Sequence, residues 1–283
     1  MSHETLISAR TLAGHLDRRD WRVFDCRFSL ADPSAGERAY GEGHIAGARY
    51  AHLDRDLSGP VTAGSGRHPL PDVDTFLRRL RGWGVGNDTQ VVVYDDVGGA
   101  VAARLWWLLR WVGHGQVAVL DGGIDAWRRT GGGLATATPA GGAGDLEGAA
   151  DDQEWLSSVQ VQGALADDFI TLVDARGAER FRGEEEPIDP VAGHVPGAVS
   201  RPYALNLGRD GRFLEPGELL CQFQQLCGAV DPREVVHMCG SGVTACHNLL
   251  AMEHAGLHGS RLYAGSWSEW IRDPARPVAR GEG

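Results

Sequence analysis

Apolar positions along the chain follow two periods, and the change from one to the other marks the elements. Residues 21–25, 91–94 and 117–120 are short runs rich in branched and aromatic side chains, bounded by polar turns, and they read as buried strands. Residues 73–81, 100–111 and 124–129 carry apolar side chains three and four apart and read as helices. Trp106, Trp107 and Trp111 fall at helical spacing and are assigned to the core. Strands that alternate with helices predict an α/β fold of parallel βαβ units with right-handed crossovers.

The same pattern is written twice. Val23-Phe-Asp25-Cys-Arg27 matches Leu172-Val-Asp174-Ala-Arg176, and Gly43-His44-Ile-Ala-Gly47-Ala48 matches Gly193-His194-Val-Pro-Gly197-Ala198. Val91-Val-Val-Tyr-Asp95 matches Val235-Val-His-Met-Cys239, and Leu120-Asp-Gly-Gly-Ile-Asp-Ala-Trp127 matches Tyr263-Ala-Gly-Ser-Trp-Ser-Glu-Trp270. The four pairs keep their order at offsets of roughly 145 to 150 residues, which predicts a duplicated domain. The expected division is 1–135 for a non-catalytic first domain, 136–154 for a linker and 155–283 for a catalytic second domain. Residues 131–145, rich in Gly, Ala and Thr, have the composition of a flexible connection. A crevice between two such domains is a natural place for a site.

One stretch concentrates the chemistry. An apolar strand, 235–238, runs into Cys239-Gly-Ser-Gly-Val-Thr-Ala245, and then Val243, Cys246, Leu249 and Leu250 share a helical face. Open α/β sheets place ligands beyond the carboxyl ends of their strands. Amides at a helix start lack intrahelical partners and attract anions. A thiol in that field ionises more readily, and the thiolate is the nucleophile. Gly240 and Gly242 let successive amides converge on one point. Sulfur chemistry there requires that the thiol be reachable and that its loop face the groove. In the first copy Asp95 takes the cysteine position, so only the second copy can run thiol chemistry.

Composition narrows the partners. The 283 residues include 27 basic and 38 acidic side chains, a net charge of -11, which argues against a nucleic-acid surface. No basic leader followed by an apolar stretch opens the chain and no apolar run reaches membrane-spanning length, so a cytoplasmic protein with no membrane partner is expected. Five cysteines, Cys26, Cys221, Cys227, Cys239 and Cys246, are widely spaced, which suggests free thiols in a reducing compartment. No zinc-like spacing is present, so no metal is expected.

These residues resemble the two-domain rhodanese-like sulfurtransferases over nearly the whole chain. The resemblance rests on Cys239-Gly-Ser-Gly-Val-Thr-Ala245, Asp174-Ala-Arg176 with Arg180-Phe-Arg182-Gly183, both Gly-His segments and Gly265-Ser-Trp-Ser-Glu-Trp270. It implies two tandem rhodanese-like domains, each a parallel sheet flanked by helices, with no cofactor. The Cys-Gly-Ser-Gly-Val-Thr loop is similar to that of the 3-mercaptopyruvate sulfurtransferase branch, whereas the thiosulfate branch usually has Cys-Arg-Lys-Gly-Val-Thr. A small dianion such as thiosulfate profits from two cations beside the thiol. Here those places hold Gly240 and Ser241, so the loop offers only amides and a hydroxyl. The implied reaction moves sulfur from 3-mercaptopyruvate through a Cys239 persulfide to a thiol, a thioredoxin-like reductant or cyanide, with thiosulfate as the alternative donor.

The resemblance also implies roles for single residues. Arg180 matches a substrate-carboxylate arginine, and Gly240, Gly242, Val243 and Thr244 line the loop. Ser241, His68 and Asp54 match a relay beside the cysteine, with His68 and Asp54 drawn from the first copy. A second arginine usually follows in a Pro-Glu-Pro-Arg-like segment, but this chain has Glu184-Glu-Glu-Pro-Ile-Asp-Pro190 there. Glu184 to Glu186 read as a solvated loop. His44 and His194, present in both copies, read as structural, and Arg27 and Arg176 as partners of nearby acids. Cys246 reads as core. A cysteine phosphatase would need an arginine at the end of the loop, and an inert binding module would usually lack Cys239.

Overall fold

The strands of the first half are β1 (Leu6–Ile7), β2 (Trp21–Asp25), β3 (His44–Ile45), β4 (Arg49–Tyr50), β5 (Gln90–Tyr94), β6 (Val117–Leu120) and β7 (Leu134–Ala135). Those of the second half are β8 (Trp155–Leu156), β9 (Thr171–Asp174), β10 (Val199–Ser200), β11 (Val235–Met238) and β12 (Arg261–Tyr263). The computed structural model describes residues 2–282. β1-β6-β5-β2-β4 form one parallel sheet, and β8-β12-β11-β9-β10 form another in the same order of counterparts. The duplication read from motifs is thus a duplication of topology. β3 and β7 add a short antiparallel pair.

The middle strands explain the unbroken apolar runs. Val91, Val92 and Val93 on β5, and Val235, Val236 and Met238 on β11, are buried. Helices cover both faces of such a strand, so no alternation is needed. The helix Val73–Gly82 starts at Asp72, whose carboxylate accepts from Thr75 N, and buries Phe76, Leu77 and Leu80. The helix Ala102–Trp111 buries Trp106, Trp107 and Trp111 as its spacing predicted. It starts two residues later than the periodicity suggested, because Val101 and Ala102 amides turn back onto Asp95.

Both copies share two internal fastenings. Asp25 Oδ2 takes two contacts from Arg27, at 3.0 Å from Nε and 2.5 Å from Nη2, and that Nη2 also donates to Gly43 O. Asp174 and Arg176 repeat the pair at 3.0 and 2.7 Å, with Gly193 O as the further acceptor. All four side chains are buried, so each charge is held with its counterion as burial demands. His44 stacks on Tyr40 and bonds the Tyr40 carbonyl, and His194 does the same with Phe181. These residues have the structural roles their duplication suggested.

The chain groups into two compact units whose limits do not follow sequence order alone. One holds residues up to Gly59, Pro71–Asp151 and Arg209–Phe213; the other holds Pro60–Leu70, Asp152–Gly208 and Leu214 onward. The Gly-rich stretch after Arg129 is anchored to the first unit, contrary to its flexible composition. Leu134 and Ala135 pair with β3, Leu146 is buried, and Asp151 N donates to Trp111 O. A side chain on Gly144 would collide with Val85 O at 1.9 Å, so the glycines here permit close packing of backbones.

Candidate active site

Cys239 follows the last residue of β11, and the loop runs through Thr244 into the helix Ala245–His254. Gly242 has φ +75, and a side chain there would lie 2.3 Å from Ala264 O. Only glycine fits such a position without moving backbone. The segment after β12 fastens the loop from behind. Cys239 N donates to Ser266 Oγ at 3.0 Å, and that hydroxyl donates onward to Tyr263 O at 2.9 Å. Trp267 N and Ser268 N donate to the carbonyls of Cys239 and Gly240 at 3.0 and 2.9 Å. Ser266 does this from φ +52, a region non-glycine residues seldom enter. Its counterpart Gly123 has φ +57. The serine in place of a left-handed glycine was the available sign of this support, and sequence reasoning passed over it.

The first copy displays what the turn does when its leading side chain is charged. Asp95 is fully buried. Its Oδ1 accepts from the amides of Val97 and Gly99 at 3.0 and 2.8 Å, and its Oδ2 from those of Val101 and Ala102 at 2.8 and 2.9 Å. The amides of the turn close around a negative atom at the strand end. That geometry is an anion cradle, here filled by the protein's own carboxylate.

Beside the Cys239 loop lies the segment 60–70, which groups with the second unit although it precedes the helix Val73–Gly82. Arg67 N donates to Ser268 Oγ at 3.1 Å, which holds the segment in place. His68 Nδ1 and Ser241 Oγ are hydrogen-bonded at 2.7 Å, and both side chains are buried. The structure therefore brings together two members of the expected relay. Asp54 is in the first turn of the short helix Leu53–Asp56 of the first unit, its amide donating to His52 Nδ1.

The guanidinium of Arg67 crowds the space that a side chain at Gly240 would fill, and that of Arg180 borders it. The first carbon of such a side chain would lie 2.8 Å from Arg67 Nη2 and 3.7 Å from Arg180 Nη1. The loop is therefore not limited to amides and a hydroxyl. No arginine comes from 184–190, but Arg67 places a second guanidinium next to Gly240. Sequence reasoning did not single out Arg67.

Both arginines are bound by acids of the 184–190 segment. Asp189 takes Arg67 through Oδ1 and Arg180 Nη2 through Oδ2, the latter at 3.1 Å. Glu186 takes Arg180 Nη2 at 2.8 Å and Nε at 3.1 Å. The side chains of Asp189 and Glu186 are 3% and 4% exposed, against 25% for Arg67 and 18% for Arg180. Burial pushes the Glu186 carboxyl up. The bonds from Arg180 and from the amides of Asp189 and Ile188 outweigh it and hold the carboxyl below its usual range. Glu184 is solvated as expected, but Glu186 belongs to this network, which corrects its assignment to a solvated loop.

Cys239 itself is 2% exposed, so little of it faces solvent. Val243 is buried and Thr244 half-buried. Cys246 is core, its thiol donating to Gly242 O at 3.4 Å. None of the five cysteines is in a disulfide. Among the described residues no cluster of His, Cys, Asp and Glu is arranged to hold a metal ion, and no helix is long and apolar enough to cross a membrane.

Comparison with known proteins agrees with this architecture. The rhodanese-like domain model matches residues 8–130 and again 157–273. A Pseudomonas aeruginosa protein named a probable 3-mercaptopyruvate sulfurtransferase is 51% identical over 284 residues, spanning 100% of both chains. A Mycobacterium tuberculosis protein provisionally named a thiosulfate sulfurtransferase is 41% identical over 98% of both. The crystal structure of the Escherichia coli 3-mercaptopyruvate sulfotransferase superposes with a TM-score of 0.81 at 30% identity. It covers 94% of this chain and all of that one. With two copies of the domain and full-length relatives of one activity class, the chain belongs to the rhodanese-like sulfurtransferases.

Proposed function

We propose that the protein transfers sulfur from 3-mercaptopyruvate through a persulfide on Cys239. The Cys239 thiolate attacks the donor sulfur, and the carbon–sulfur bond breaks. Its electron pair leaves on pyruvate enolate, and the sulfur stays as a Cys239 hydropersulfide. The enolate takes up a proton to become pyruvate. A thiol, a thioredoxin-like reductant in a reducing cytoplasm, or cyanide in an assay then accepts the terminal sulfur and regenerates the thiolate. Covalent catalysis of this kind divides one transfer into two easier steps.

The residues take the following parts. Amides from Gly240 through Val243 to Thr244 hold the anionic sulfur, as the corresponding turn holds Asp95, without reorganising during the reaction. Gly242 keeps that turn closed. Arg180, joined by Arg67, holds the donor carboxylate through planar paired donors. Ser241, hydrogen-bonded to His68, supplies the proton to the leaving enolate. The resemblance gives Asp54 the part of orienting that imidazole.

The observation that carries the choice of donor is the 2.7 Å Ser241–His68 bond two residues from Cys239. An enolate leaving group needs a proton at that place, whereas the sulfite released from thiosulfate does not. The test is intact mass after incubation with 3-mercaptopyruvate. A gain of about 32 Da, one sulfur, reversed by a thiol and absent in Cys239→Ser, is what the covalent step requires. Full turnover by Cys239→Ser would sink the mechanism.

A further inference from the structure

We propose that Asp189 is a specificity-determining residue, a built-in counterion that tunes the donor site toward monoanions. The inference rests on the reading of Arg67 and Arg180 as the donor-binding pair. Asp189 bridges both guanidinium groups, one through each carboxylate oxygen, from a side chain only 3% exposed. Glu186 adds a second carboxylate on Arg180. Two positive and two negative charges therefore meet beside Gly240, and the cluster is neutral. Each arginine keeps part of its surface open, so the site still offers hydrogen-bond donors to an incoming anion.

The neutrality has a direct consequence for donor choice. A donor with one carboxylate can share the two arginines with Asp189 and lose little. A compact dianion brings one more negative charge close to a carboxylate that cannot leave, because its segment is tied down at Glu186. One unit charge at about 6 Å in a partly hydrated site changes affinity by about tenfold. Removing the Asp189 charge therefore favours a monoanion by about that factor and a dianion by about its square. The ratio of the two donors shifts by about tenfold.

The experiment is steady-state kinetics of the full chain with 3-mercaptopyruvate and with thiosulfate, cyanide being the acceptor, for wild type, Asp189→Asn and Asp189→Glu. Asp189→Asn is expected to move kcat/KM about tenfold toward thiosulfate, with the change carried by KM and reduced at high salt. Asp189→Glu, which keeps the charge, is expected to retain the wild-type preference. A second measurement uses wild type alone: sulfate should compete with the donor more weakly than pyruvate at equal ionic strength. An unchanged donor ratio in Asp189→Asn, an equal loss with both donors in both variants, or sulfate competing better than pyruvate would overturn the role of Asp189. Wild-type inactivity toward both donors would instead refute the sulfur-transfer reading itself.

Discussion

The anion cradle of the first copy can be tested without touching the thiol. Asp95→Asn keeps the volume and shape of the side chain and changes only charge and hydrogen bonding. In the native turn two amides point at each carboxylate oxygen, at 2.8 to 3.0 Å. An asparagine oxygen can serve one pair. Its NH2 then faces the other pair, donor against donor, in a site closed to water. Hydrogen bonds to a charged group contribute about 1.5–3 kcal/mol each, and a buried donor left without a partner costs about 1–3 kcal/mol. Losing two such bonds gives about 3–6 kcal/mol. In a unit of this size each kcal/mol lowers Tm by roughly 2–4 °C, so a fall of roughly 6–24 °C is expected. Calorimetry on the full chain reads it, and the transition that shifts should be the one that unfolds Trp106, Trp107 and Trp111. A loss below about 1 kcal/mol would mean that the amides find other partners cheaply. The turn would then be an ordinary connection, and the argument that its twin holds anionic sulfur would lose its structural precedent.

Two further outcomes follow from neighbouring positions. Gly242→Ala meets both a left-handed φ and the Ala264 carbonyl at 2.3 Å, so it should cost about 3 kcal/mol or more and displace the Cys239 loop. Gly240→Ala meets chiefly the movable end of Arg67, so its stability should stay within about 1 kcal/mol of wild type; denaturant titration of the pair separates these cases. His237, fully buried on β11, has its pKa pushed down from 6.5 to about 3 by burial and by Arg201. Its neutral form is the folded form. The contribution is complete above pH 6.5 and is lost as pH falls toward 3, at about 1.4 kcal/mol per pH unit. Lowering the pH from 7 to 5 should cost about 2 kcal/mol through this residue, and His237→Gln should lose that part of the pH dependence in the denaturation midpoint.

The sheets were legible because a central parallel strand has no polar face to disguise it. β5 and β11 are buried along their length, and their apolar runs bound the elements almost to the residue. Helix starts were harder. The Ala102–Trp111 helix begins where the cradle releases its amides, and nothing in the apolar spacing of 100–111 encodes that tertiary demand. The connection after Arg129 misled for a related reason. Glycine signals freedom in an isolated chain, yet Gly142 and Gly144 are needed because backbone approaches backbone there.

The site divides along the same line between local and distant contacts. Cys239, its glycines and Arg180 could be named as candidates because each lies in a short motif written consecutively. Arg67 and Asp189 stand 122 residues apart, and their pairing leaves no periodic trace. Taken by itself, the acidic stretch 184–190 looks like a site short of positive charge. With Arg67 in place, the same acids become the reason two guanidinium groups can stand side by side next to Gly240, since like charges so close require counterions. A motif counts only the charges that the chain writes consecutively, whereas a donor meets the charges that folding assembles. The acids of 184–190 and the guanidinium of Arg67 form one network, and neither can be interpreted without the other.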